Sequence, residues 1–153
     1  MVNKKKDIAT FEDLLVWQVS RELRKRVSSL CKKLPKEETY KLKDQMIRAS
    51  RSVTANIAEG YGRFHYQENI QYCRQARGSL YELIDHLSCG FDEDYFEKNE
   101  VNNLKKETIR AIKLVNGYIG YLNRTKVNYA KEPEIDYTIN EFPNNESTNN
   151  EIN

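Results

Sequence analysis

The run Gln45-Met46-Ile47-Arg48-Ala49-Ser50-Arg51-Ser52-Val53-Thr54-Ala55-Asn56-Ile57-Ala58-Glu59-Gly60 carries two messages at once. With Leu42 ahead of it, its apolar residues fall at Leu42, Met46, Ala49, Val53 and Ile57. Those steps of four, three, four and four line one side of a helix. Small side chains fill much of the rest, at Ala49, Ser50, Ser52, Thr54, Ala55 and Ala58, and let a neighbouring backbone come close. The stretch therefore reads as the central helix of a bundle, over residues 37–59. Gly60 is expected to close it in a left-handed conformation, and Gly62 to loosen the turn that follows.

Outward from this helix the same period recurs. Upstream, Val16, Val19, Leu23, Val27, Leu30 and Leu34 predict a first helix over residues 11–34. Thr10 is its expected N-cap with Asp13 as the acidic partner three residues on, and Pro35 is its stop. Downstream, Tyr66, Ile70, Cys73, Ala76, Leu80, Leu83, Ile84 and Leu87 predict a third helix over 66–89, ended by Gly90. Val101, Leu104, Thr108, Ala111, Val115, Tyr118 and Leu122 predict a fourth over 101–122. Four long helices joined by short turns give an all-α, up-down-up-down antiparallel four-helix bundle. We place it at residues 10–124, after a basic N-terminal segment, 1–9, that carries Lys4, Lys5 and Lys6.

Residues 125–153 lack the pattern. This Asn- and Glu-rich stretch holds Pro133 and Pro143, and its few apolar residues are isolated, so we read it as a disordered C-terminal tail. Two short segments in it, Ile135-Asp136-Tyr137 and Glu141-Phe142-Pro143, have the look of binding motifs. The tail also divides the charge. Residues 128–153 hold one base, Lys131, and six acids, out of 25 Lys and Arg and 23 Asp and Glu in the whole chain. That leaves 24 bases and 17 acids in residues 1–127, a net of +7, which favours a polyanionic partner for the folded part.

No run approaches the roughly 18 apolar residues of a membrane span, and no apolar segment follows the N-terminal lysines as in a signal peptide. Cys31, Cys73 and Cys89 form no Cys-x-x-Cys pair and each falls in a helical pattern, so we read them as reduced core residues of a cytoplasmic protein.

Three blocks carry a resemblance. They are Phe11-Glu12-Asp13-Leu14-Leu15-Val16-Trp17-Gln18, the run from Gln45 to Gly60, and Ala76-Arg77-Gly78-Ser79-Leu80-Tyr81-Glu82-Leu83. Together they resemble, in register over residues 11–123, the bacterial four-helix bundle proteins related to those encoded in 23S rRNA intervening sequences. The accessory variability determinants of diversity-generating retroelements share that fold. The resemblance implies a homo-oligomer, a five-fold ring, that binds nucleic acid and a reverse transcriptase. Arg51 departs from the small or apolar residue common near that position.

No catalytic constellation accompanies the pattern. The only histidines, His65 and His86, stand in no catalytic motif, and Gly60-Tyr61-Gly62 follows a helix C-terminus, where carbonyls repel phosphate. A di-iron bundle needs Glu-x-x-His pairs, and the chain has none. We therefore expect no enzyme, no metal and no cofactor. Basic residues are the candidates for function: Arg21, Arg24, Lys25 and Lys32 on helix one, Arg48 and Arg51 on helix two, Arg63 in the turn, Arg74 and Arg77 on helix three. Their scatter suits sequence-tolerant phosphate contact with RNA or DNA over base readout. Asn56 and Glu59 read as a structural polar network at the end of helix two. Helix four carries Ile109, Ile112, Leu114, Ile119 and Tyr121 beyond its core stripe, which marks them as an oligomer interface. The reading is a non-enzymatic oligomeric scaffold that binds nucleic acid and a protein partner. Its rival is a purely structural protein–protein oligomer.

Overall fold

The computed structural model describes residues 7–129. Four α-helices fill it: α1 (Leu15–Leu30), α2 (Leu42–Gly62), α3 (Tyr66–Asp92) and α4 (Lys98–Tyr129). Single 3-10 turns at Phe11–Asp13, Cys31–Lys33 and Lys36–Glu38 frame the first two, and no strand occurs among the described residues. Each helix packs on its chain neighbours and α4 closes on α1, so α1 lies diagonal to α3 and α2 to α4. This is the antiparallel up-down-up-down bundle. α2 and α3 share the most extensive contact.

The expected stripes form the core. Leu42, Met46, Ala49, Val53 and Ile57 of α2 are buried with Leu23, Val27 and Leu30 of α1. Ile70, Cys73, Ala76, Leu80, Leu83 and Leu87 of α3 and Val101, Leu104, Ala111, Val115 and Leu122 of α4 complete it. Val19, Tyr66, Ile84 and Tyr118 pack on its edge, half-buried. Polar side chains inside close on their own helix: Ser20 Oγ donates to the Val16 carbonyl and Thr108 Oγ to that of Leu104, each at 2.7 Å.

The helix ends differ from the sequence reading. The first helix is broken at Leu14, whose extended backbone (φ −71°, ψ 126°) separates the Phe11–Asp13 turn from α1. The Asp13 carboxylate accepts the Ala9 and Thr10 N–H groups at 3.1 and 3.3 Å, so the expected capping pair exists but caps that turn. At the other end α1 stops at Leu30, and Leu34 takes the extended backbone that a residue before proline requires. α2 begins at Leu42, five residues later than expected, with the Glu38 carboxylate accepting the Leu42 N–H at 3.1 Å. α4 runs through Tyr129, five residues into the segment read as tail. The rest of that tail reading, and residues 1–6, lie outside the described residues.

Neither Gly60 nor Gly90 closes a helix. Both are buried inside one and are there for close approach. A Cβ on Gly60 would stand 2.8 Å from both Asn69 Oδ1 and Tyr72 Cβ, and one on Gly90 would overlap the Phe96 ring. The left-handed residue after α2 is Phe64 (φ 60°), a side chain that pays for this backbone with strain.

Candidate nucleic-acid interface

Along α1, successive residues turn by about 100°, so Arg21, Arg24 and Lys25 share an arc of about 100°, and Lys32 follows in the 3-10 turn beyond the helix. One edge of that arc is pinned to α2, where Arg24 Nη1 donates to Thr54 Oγ1 at 2.8 Å. Arg51 lies one turn before Thr54, and its carbonyl accepts the Thr54 hydroxyl. Arg24 and Arg51 thus flank the α1–α2 seam, and Arg21, Lys25, Lys32 and Arg48 are exposed on the outer surface that continues it. Its acids are Glu22, bound by Lys25 at 2.9 Å, and Asp44, bound by Arg48 at 3.4 Å, both within one helix. Arg24 is held by a hydroxyl, and Arg21 lies over the Trp17 ring, 5.6 Å from its centroid. Arg51 and Lys32 are exposed and have no side-chain partner among the described residues. Arg24, Lys32 and Arg51 have no carboxylate partner among the described residues, and Arg21 lies near Glu12 and Glu22, so the surface keeps a positive excess.

The opposite edge of α1 is neutralised. There Arg26 pairs with Glu107 and Lys33 with Glu100, both on α4. Lys33 beside it holds the Glu100 carboxyl below the usual carboxylate range.

The remaining cations of the candidate set do not join the seam. Arg74 is exposed on α3, and Arg77 Nη1 donates to Asn116 Oδ1 on α4 at 2.7 Å, which puts that pair on the far side of the bundle. Arg63 is committed to a triad at the end of α2, donating to Glu59 Oε1 at 2.9 Å and to the Tyr72 hydroxyl at 2.8 Å. Tyr72 itself donates to Glu59 at 2.9 Å, and Arg63, then Tyr72, hold the Glu59 carboxyl below its usual range.

Glu59 is exposed, not buried in a network with helix one. Asn56, half-buried, donates to the Ser52 carbonyl at 2.9 Å and to Ser52 Oγ at 3.0 Å. Ser79 Oγ of α3 donates to Ser52 Oγ at 2.9 Å, so Asn56 and Glu59 serve two separate α2–α3 links. Ser52, Tyr72 and Ser79 were absent from the sequence reading, yet a signal for them exists. Ser52 with Ser79, and Glu59 with Tyr72, are each placed symmetrically about the His65–Tyr66 boundary, as an antiparallel hairpin requires.

The small residues of α2 divide between two faces. Ala49, Ser50 and Thr54 are buried, whereas Ala55 is exposed and Ala58 half-buried. Ala55 and Ala58 sit on the outer arc of α2 beside Arg51.

The apolar surplus of α4 is not one face. α4 touches both α1 and α3 and so needs two stripes. Ile112 belongs to the core and is 5% exposed, too buried for a surface role. Ile119 is half-buried against the same core. Leu114 lies with Leu15 in a shallow groove between α1 and α4, Tyr121 stacks on Tyr118, and Ile109 stands alone and exposed.

Cys31 and Cys73 are buried, and burial pushes both thiols up to about 11. Cys89 is exposed, which corrects its reading as a core residue: two residues past the buried Leu87, it falls on the opposite side of α3. His86 contacts Glu82 at 3.2 Å, and no group of three His, Cys, Asp or Glu among the described residues could hold a metal ion. No helix among them is long and apolar enough to cross a membrane.

No curated protein matches this chain. The fold is similar to that of a protein of unknown function from the S23 ribosomal protein family of Bacteroides thetaiotaomicron. The TM-score is 0.64 at 22% sequence identity, over 69% of this chain and 98% of that one. The two α2–α3 links, and the seam beside them, all lie within residues 12–117, the span that matches the family model described as 23S rRNA-intervening sequence protein, and the chain belongs to that family.

Proposed function

We propose that the chain is a non-enzymatic homo-oligomeric scaffold that grips nucleic-acid phosphates along the α1–α2 seam and recruits a protein partner. One observation carries the reading: α1 is neutralised by cross-helix acids on its α4 side and left unneutralised on its α2 side. Guanidinium groups suit phosphate because they present several N–H donors in a planar fork. Arg21 and Arg24 are also preorganised, one over Trp17 and one against Thr54, so little rotamer freedom is lost on binding. Phosphate contact of this kind tolerates sequence and accepts RNA or DNA.

Self-association is assigned to the α1–α4 side, where Leu15 is 55% exposed beside Leu114 and Val19 is only half-covered. A five-fold ring, the arrangement the resemblance implies, would repeat each basic seam around an axis and add their fields. A reverse transcriptase is the partner the same resemblance implies, and is the first to test. The experiment is fluorescence anisotropy with unrelated single- and double-stranded probes over a salt series, beside the oligomer mass in solution. Log affinity falling linearly with log salt for every probe supports the reading. Absence of affinity for any probe refutes it and leaves the protein-scaffold alternative.

A further inference from the structure

The end of the bundle that carries the α2–α3 turn holds a groove of about 510 Å³. Leu14, Tyr61, Tyr66, Tyr118, Tyr121 and Leu122 line it, and Ile8 and Phe64 stand over its mouth, 54% and 91% exposed. Phe64 is held outward on a left-handed backbone that an L side chain adopts only under strain. So much aromatic surface in one concave patch is the composition of a binding site. The groove is separate from the basic seam and is not used by the function proposed above.

We propose that this groove seats the chain's own C-terminal segment, residues 135–139, with Ile135, Tyr137 and Ile139 laid into it. Three observations single out that occupant. The first is position: α4 itself lines the groove with Tyr121 and Leu122, and its described residues run to Tyr129, about 10 Å further along its axis. From there the ten residues up to Ile139 can reach back over about 33 Å. A tether this short gives the segment an effective concentration in the millimolar range, which a second copy of the chain does not match. The second is pattern. Ile135, Tyr137 and Ile139 alternate with Asp136 and Thr138, so an extended segment presents all three apolar side chains on one side. The third is charge. Residues 128–153 carry six acids and one base, while no carboxylate among the described residues lines the groove and Arg124 and Lys126 follow its Tyr121 and Leu122 along α4.

The test uses the full chain and a variant carrying Tyr137→Ser and Ile139→Ser, changes outside the bundle. Hydrogen–deuterium exchange is followed at residues 61–69 and 118–124. A segment docked about nine-tenths of the time slows exchange beneath it about tenfold, so the variant should exchange there five to ten times faster. The rest of the bundle should be unchanged, and the difference should not depend on protein concentration. Equal exchange in the two chains overturns the proposal. Protection that follows protein concentration and ignores the variant also overturns it, because a second copy then covers the groove. Loss of nucleic-acid binding by seam variants leaves this result untouched, so the two readings fail separately.

Discussion

Replacing Gly90 and Gly78 with alanine, one at a time, should move stability in opposite directions although both lie within α3. Alanine in place of glycine inside a helix gains about 0.5–1 kcal/mol from backbone entropy alone. At Gly78 nothing stands within 4 Å of the added Cβ, so that gain should appear in full. At Gly90 the Cβ overlaps the ring of Phe96, which is 5% exposed and cannot retreat without leaving the core. Expelling part of a buried Phe loses up to about 1.5–3 kcal/mol, and the strain of a partial fit costs about 1–3 kcal/mol. Against the helical gain the net loss is about 2 kcal/mol. For a domain of this size 1 kcal/mol shifts the thermal midpoint by about 3–6 °C. Gly90→Ala should therefore melt about 6–12 °C below the native chain and Gly78→Ala up to about 6 °C above it. Circular dichroism melts at one fixed protein concentration measure both, since self-association would otherwise move the midpoint. A Gly90→Ala chain as stable as the native one would refute the packing of Phe96 against α3.

Ala55→Leu, which a buried helix contact could not tolerate, should leave the melt within about 0.5 kcal/mol because Ala55 is exposed. It should instead weaken nucleic-acid binding by crowding Arg51, one helical turn away; a collapsed melt would place Ala55 in an interface. Cysteine titration should find one reactive thiol per native chain, Cys89, and three after denaturation, because burial holds the Cys31 and Cys73 thiols up to about 11. Three fast thiols in the native chain would contradict that packing. The Glu59 and Glu100 carboxyls lie below their usual range, so the stability they contribute is full above the unfolded value, about pH 4.3, and is lost as pH falls through the folded one. Melts should therefore weaken on acidification below about pH 4.3, and Glu100→Gln should soften the decline. A decline of equal steepness in that variant would exclude Glu100.

The period of apolar residues made the bundle legible because burial on one helix face leaves a mark in the chain at every turn. Helix ends were less so, for a physical reason. Gly60 and Gly90 look like helix stops in sequence, and only a neighbour, Asn69 with Tyr72 or the Phe96 ring, shows that they are approach points. Leu14 is likewise apolar, and nothing local announces its extended backbone. At the site, the list of basic residues was readable but its partition was not. Arg24 and Arg26 share one helix with Lys33 in the turn after it, and only α2 and α4 beside them decide which meet a hydroxyl and which a carboxylate. The polar links failed for a related reason: Ser52–Ser79 and Glu59–Tyr72 need the hairpin axis before they can be paired.

The salt dependence of nucleic-acid affinity in chains altered on opposite sides of the bundle tests the account most directly. Arg21→Gln with Arg51→Gln removes two cations from the surface along the α1–α2 seam, and Arg74→Gln with Arg77→Gln removes two from the far side. Anisotropy titrations from about 50 to 200 mM salt give the slope of log affinity against log salt, which counts the phosphates neutralised. The seam variant should bind every probe more weakly and lose about two units of slope, with mass and melt close to native. The far-side variant should keep nearly the native slope. Equal slopes in the seam variant and the native chain, or no affinity at about 50 mM salt, where electrostatic attraction is strong, would contradict the assignment of the seam.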